Sequence, residues 1–191
     1  RNIPFVKYGG QKFVEAAHIK DMISFLRIVY NRADVVSWYR ALLLLRGVGP
    51  KSAEKVIAEI VSNKKGFFVE DRYIQKQEDM AALFDILRKI DTAVMTPQEL
   101  IQVFLGYYQP LLKDKYDDYH KRLNDLDSLE RIAARYDTLE QFLTDMALEP
   151  PERTLVEAGR ADGDDSTLTL STIHSAKGLE WHTVFVLYVA E

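Results

Sequence analysis

Apolar residues recur at helical spacing through the middle of this 191-residue chain and gather into short β-type runs only near its two ends. Ile19, Met22, Ile23, Phe25, Leu26 and Val29 form one stripe, which predicts a helix over residues 16–30. Asp34 is placed to cap a second helix over 35–44. Pro50 at a first turn, where its missing N–H costs nothing, opens a third over 50–61, with Ala53, Val56, Ile57 and Ile60 facing inward. A fourth spans 78–90. Thr96-Pro97-Gln98-Glu99 has the form of a capping box, so a fifth helix starts at Pro97 and runs through Phe104 toward Leu111. A sixth covers 119–136, and Thr138 with Gln141 opens a seventh that ends near Leu148. Strand-type runs occupy 3–8, 167–170 and 184–189.

A helical block flanked by strands at both ends is the pattern of an insertion into an α/β domain. The expected fold is therefore mainly α, a helical insertion over 16–150 within an α/β domain contributed by short parallel strands from both chain ends. The first piece of that domain is 1–15 and the second is 167–191. Glu149-Pro150-Pro151-Glu152 and the acidic Ala161-Asp162-Gly163-Asp164-Asp165 mark a return linker over 151–166.

Composition narrows the class without naming a function. With 47% hydrophobic and 28% charged residues the chain has the makings of a core. It has no cysteine, which excludes disulfides and thiolate metal sites and permits a cytoplasmic location. No apolar run approaches the length of a membrane span, and no leader precedes Arg1, so the chain reads as an excised segment with no membrane partner. A net charge of −4 confines any nucleic-acid contact to a local patch. His18, His120 and His182 stand apart from one another and from carboxylates at ligand spacing, so no metal site is expected. Asp117-Asp118 reads as the cap of the sixth helix. The pairs Trp38-Tyr39, Phe67-Phe68 and Tyr107-Tyr108 read as core rather than base-stacking platforms.

Two segments carry candidate chemistry. In Leu44-Leu45-Arg46-Gly47-Val48-Gly49-Pro50-Lys51-Ser52-Ala53 an apolar helix end meets Gly-Val-Gly and a new helix, the helix-hairpin-helix pattern. Glycines allow the tight turn, and N–H groups at the following helix start point toward a phosphate. Arg46, Gly47, Val48, Gly49 and Lys51 are the candidate phosphate contacts, with Lys55 adding charge. The same pattern also fits a helical hairpin that merely turns a corner. The second segment, Ser171 through Glu180, sits between two β-type runs, where α/β proteins bind ligands at the rim of a sheet.

That second segment resembles motif V of the UvrD/Rep/PcrA-like superfamily 1 DNA helicases, T-x-H-x-x-K-G-L-E followed by an aromatic. Thr172, His174, Lys177, Gly178, Leu179, Glu180 and Trp181 fill the pattern. Tyr8-Gly9-Gly10, Phe13 and Ile19-Lys20-Asp21 resemble the same family's motif IVa, with Ala16 and His18 standing where the family usually has Arg and Glu. The resemblance implies a helical 2B subdomain inserted into a RecA-like 2A domain, from a 3′–5′ ATP-dependent helicase. It places Thr172 and His174 on single-stranded DNA, Gly178 and Glu180 beside the nucleotide, and the Gly47 hairpin on duplex DNA at the junction. ATP and Mg²⁺ are implied for the intact enzyme, together with the 1A and 1B motor domains as partners. No G-x-x-x-x-G-K-[ST] occurs, and the chain stops before the Arg-bearing motif VI. By itself it is expected to bind no nucleotide and to be inactive as an ATPase, with no catalytic residue of its own. The alternative is a DNA-binding or protein-interaction module without motor chemistry, in which the hairpin does the work.

Overall fold

A computed structural model describes residues 5–8, 13–62, 77–91, 93–148, 168–171, 180 and 182–187. It is mainly helical. Seven α-helices lie among the described residues: α1 (Ala17–Tyr30), α2 (Val35–Leu42), α3 (Pro50–Ser62), α4 (Glu78–Lys89), α5 (Pro97–Lys115), α6 (Tyr119–Ala133) and α7 (Leu139–Leu148). Two short strands, β1 (Phe5–Tyr8) and β2 (Leu168–Ser171), complete the order. The chain divides into two compact units, one of Arg1–Lys12 with Glu152–Glu191 and one of Phe13–Pro151.

In the first unit β1 and β2 pair in parallel, with Phe5 opposite Leu168 and Tyr8 opposite Ser171. Parallel neighbours require a crossover connection, and here the intervening sequence includes every helix of the second unit. The strand expected over 184–189 does not form across its described part. Residues 183–187 have no regular structure, and Val184, Phe185, Val186 and Leu187 are exposed. β-propensity records how well a side chain fits a pleated, half-buried surface, and this run has no ladder partner among the described residues.

The second unit is built around α1. Its Ile19, Met22, Phe25, Leu26 and Ile28 are fully buried, because α2, α5, α6 and α7 all pack against it. Such burial contributes about 1.5–3 kcal/mol for each large apolar side chain. Phe25 stacks on Phe104 with ring centroids 5.2 Å apart and meets the edges of Tyr107 and Tyr108. Trp38 stacks on Phe84 and donates its indole N–H to the Arg32 carbonyl at 2.9 Å. Trp38 and Tyr108 are thus core, as read from the sequence, and Tyr107 is half-buried.

Local signals explain the helix ends. Asp34 accepts from the Ser37 N–H at 2.9 Å and so caps α2. The Thr96 hydroxyl accepts from the Glu99 N–H while Glu99 accepts from the Thr96 N–H, the reciprocal pair expected at the start of α5. Thr138 Oγ1 accepts from the Gln141 N–H at the start of α7. Helix α5 runs on past Leu111 to Lys115 despite Pro110. Proline clashes with the carbonyl four residues back, here that of Gly106, and both residues are exposed, so that carbonyl opens onto solvent.

Asp118 corrects one expectation. It holds the N-cap position of α6, but its side chain makes no cap hydrogen bond. It accepts from Arg122 Nε at 2.7 Å instead, and that guanidinium holds the Asp118 carboxyl below the usual carboxylate range. A charge-assisted pair one helical turn away outcompetes the backbone N–H. Arg122 also lies over the Tyr116 ring and reaches His18 Nδ1 at 3.2 Å, while His18 Nε2 lies 2.9 Å from Asp125 Oδ2. His18, buried between an arginine and a carboxylate, ties α1 to α6.

Candidate nucleic-acid interface

The hairpin between α2 and α3 is anchored by two buried apolar side chains, Leu45 and Val48, with exposed Arg46 and Gly47 between them. Helix α2 ends at Leu42 rather than at Leu44, and the chain continues through turns in which Leu45 N–H donates to Leu42 and Val48 N–H to Leu45. Gly47 has φ +73°, a conformation in which an L side chain is strained. Pro50, Lys51 and Ser52 at the start of α3 are exposed.

Gly49 is exposed and does not need to be glycine on steric grounds, since an added Cβ meets nothing within 4 Å. Its carbonyl accepts the N–H groups of Ser52 and Ala53, each at 3.0 Å. Pro50 follows as the first helical residue, and the Lys51 N–H has no acceptor among the described residues. Lys51 and Lys55 are exposed one turn apart on α3. A helix start with the Lys51 N–H left over and flanking lysines favours an anion through both the partial positive charge of the helix end and the ammonium groups.

Arg46, read from the sequence as part of the same surface, is already engaged. Its Nε and Nη2 donate to Asp79 Oδ2 and Oδ1 at 2.8 and 2.6 Å, and its backbone N–H also donates to Oδ2 at 3.2 Å. Asp114 lies 3.6 Å from Nη1. The guanidinium holds the Asp79 carboxyl below the usual carboxylate range, and the hydrogen bond and charge of Asp79 push Arg46 up. Two further contacts fix the hairpin's support: Gln77 Nε2 donates to the Gly47 carbonyl at 2.9 Å, and the Tyr107 hydroxyl donates to the Asp79 carbonyl at 2.8 Å. Burial is the main reason the Tyr107 phenol is pushed up.

Asp79 and Gln77 escaped the sequence reading, and Tyr107 entered it only as half of an aromatic pair. Glu78-Asp79 signals only acidic residues in a helix first turn, a place they occupy for the helix dipole alone. Of the other predicted site residues, Glu180 is exposed, whereas Thr172, His174 and Gly178 lie outside the described residues. Among the described residues no group of three His, Cys, Asp or Glu is placed to hold a metal ion, and no helix is long and apolar enough to cross a membrane.

Comparison with known proteins gives the family of the chain. The UvrD-like helicase C-terminal domain matches residues 1–191. Among curated proteins, the ATP-dependent DNA helicase PcrA of Staphylococcus epidermidis is 28% identical over 211 residues, covering 100% of this chain and 28% of that protein. The ATP-dependent DNA helicase PcrA of Staphylococcus aureus is 30% identical over 212 residues, again covering 100% of this chain and 28% of the relative. The chain thus spans 28% of the length of these curated relatives. With the match running from the first residue to the last, the chain belongs to the UvrD-like helicase C-terminal domain family.

Proposed function

We propose that this chain is the part of an ATP-dependent DNA helicase that grips duplex DNA at the junction and relays nucleotide state to the single-stranded track. The whole-length family match carries the reading. In it, residues 1–15 and 167–191 are pieces of a RecA-like 2A domain, 16–150 are the inserted 2B subdomain, and 151–166 are the return linker. The parallel pairing of β1 with β2 supports one sheet built from both chain ends.

Gly47 to Lys51 then act as a helix-hairpin-helix contact. The exposed Gly49 lets a sugar-phosphate backbone come close, and the Lys51 N–H and ammonium meet the phosphate. Arg46, held by Asp79, braces the loop. Thr172 and His174 contact single-stranded DNA, while Gly178 and Glu180 lie beside the nucleotide. The exposure of Glu180 suits a side chain that meets a ligand held chiefly by another domain. ATP supplies the driving force in the intact enzyme and Mg²⁺ its charge neutralisation, and the phosphate cradle is assigned to the 1A domain, because no such motif occurs in this chain.

Duplex binding by the 191-residue chain, followed by fluorescence anisotropy across a salt series, tests the hairpin. Binding should be weak and should fall with salt at a slope of about 0.9 for each phosphate contacted. Gly49→Ala should leave thermal stability near the parent's, since the added Cβ has open space. Gly49→Asp should weaken binding, because a carboxylate would face the phosphate. Parent-like binding by a folded Gly49→Asp variant would reduce the hairpin to a corner.

A further inference from the structure

Asp79 grips Arg46 in the manner of a bound phosphate. One carboxylate oxygen takes both the backbone N–H and Nε of Arg46, and the other takes Nη2, so a single residue offers a three-donor clip for a two-oxygen face. A phosphodiester presents the same two-oxygen face to a guanidinium. The partners differ in accessibility: the Arg46 side chain is 65% exposed, and that of Asp79 only 13%. Arg46 is therefore reachable from solvent while its present counter-ion is packed against the protein. Asp114, 3.6 Å from Nη1, adds a second carboxylate on the outer side.

We infer that Asp79 is an internal stand-in for a DNA phosphate, so that Arg46 reaches duplex DNA only by exchanging one anion for another. This rests on the hairpin being a duplex contact. The exchange keeps the number of charge-assisted hydrogen bonds to Arg46 nearly constant, yet it leaves the Asp79 carboxylate unpaired beside the phosphate that displaced it. Asp79 thereby holds the duplex affinity of the hairpin low. A contact that must be made and released as an enzyme advances along DNA is served by such weakness. The carboxylate sets the number of phosphates the hairpin engages: Lys51 and the start of α3 bind in either state, and Arg46 joins only when Asp79 lets go.

The test uses the full 191-residue chain and a fluorescein-labelled blunt duplex. Asp79→Asn and Asp79→Ser both remove the competing charge and keep polar atoms near Arg46. Each should bind the duplex several-fold tighter at low salt, with a salt slope steeper by about 0.9, the mark of one more phosphate contact. Adding Arg46→Gln to Asp79→Asn should cancel both gains. Arg46→Gln alone bares the Asp79 carboxylate beside the hairpin and should bind no tighter than the parent. A gain that survives Arg46→Gln would reflect lost repulsion alone and would overturn the inference. So would a folded Asp79→Asn variant that binds no tighter. Were both Asp79 variants unable to fold, a folded Arg46→Gln chain that bound the duplex tighter than the parent would overturn it equally. Binding that depends on Lys51 and is indifferent to Asp79 would defeat this inference and spare the hairpin reading, whereas absence of duplex binding in every variant would defeat both.

Discussion

Tyr108 donates its hydroxyl to Asp21 Oδ2 at 2.7 Å across 87 residues of sequence, and both side chains are sealed from solvent. Arg40 supplies the counter-charge, donating Nε to the other Asp21 oxygen at 2.6 Å and Nη2 to the Ala17 carbonyl at 3.1 Å. One buried carboxylate therefore joins α1, α2 and α5. Asp21 belongs to the Ile-Lys-Asp run that resembles a helicase motif, and its contacts here are those of a structural clamp. A buried charge is tolerated when it is paired and hydrogen-bonded, and removing a partner is more costly than never having had the pair.

Tyr108→Phe should accordingly destabilise the chain by about 1–3 kcal/mol, the range for hydrogen bonds to charged groups, and Asp21→Ala by about 3–5 kcal/mol, since it strands Arg40 and the phenol. Urea denaturation measures both. A Tyr108→Phe midpoint equal to the parent's would show that the hydroxyl contributes nothing. Burial first, and then Asp21, push the Tyr108 phenol far up, so it should add no phenolate absorbance before the fold is lost in alkali.

His18 offers a test that needs no mutation. Arg122 can donate to His18 Nδ1 only if that nitrogen carries a lone pair, which places the imidazole proton on Nε2, donated to Asp125. Nitrogen-detected NMR should find the proton of the neutral ring on Nε2. A dominant Nδ1–H form would mean that Arg122 does not make this contact in solution.

Most helices were legible because burial in this chain follows period 3.6: Ala53, Val56, Ile57 and Ile60 face inward on α3 as their spacing predicts. Caps were legible where a side chain meets its own helix start, as at Asp34 and Thr96. Asp118 was misread because its competitor, Arg122, is a tertiary and intrahelical partner at once. The periodicity carried α5 only toward Leu111, and the helix runs on to Lys115 past Pro110, whose clash falls on the exposed Gly106. At the candidate site the turn at Gly47 was visible in Gly-Val-Gly. The engagement of Arg46 was not, because Asp79 lies 33 residues away and only the fold brings it near.

The acid limb of stability should report the same pair. Asp79 has its native pKa lowered by the hydrogen bonds and charge of Arg46, so its contribution is fully present above the unfolded value near 3.8 and is lost as pH falls toward the lower native value. Unfolding free energies measured in urea between neutral pH and strongly acidic solution should decline in that window. Asp79→Asn should be less stable than the parent at neutral pH, and the gap should close at the acidic end. A gap of constant size would mean that the pair is screened out in solution.

The roles proposed for the motif V turn are tested in the full-length enzyme, where nucleotide and DNA are both bound. Glu180 and His174 are assigned to different ligands, so Glu180→Ala and His174→Ala should separate. Loss of Glu180 should mainly reduce nucleotide affinity or turnover, by about 1–3 kcal/mol for one hydrogen bond to a charged group. Loss of His174 should weaken single-stranded DNA binding and the DNA stimulation of hydrolysis while leaving nucleotide affinity nearly unchanged. Titrations of both ligands on both variants decide the matter, because a turn that couples two ligands gives opposite patterns and a plain connector gives none. If both variants keep both affinities and the stimulated rate, the turn joins two pieces of chain and the coupling must be sought elsewhere.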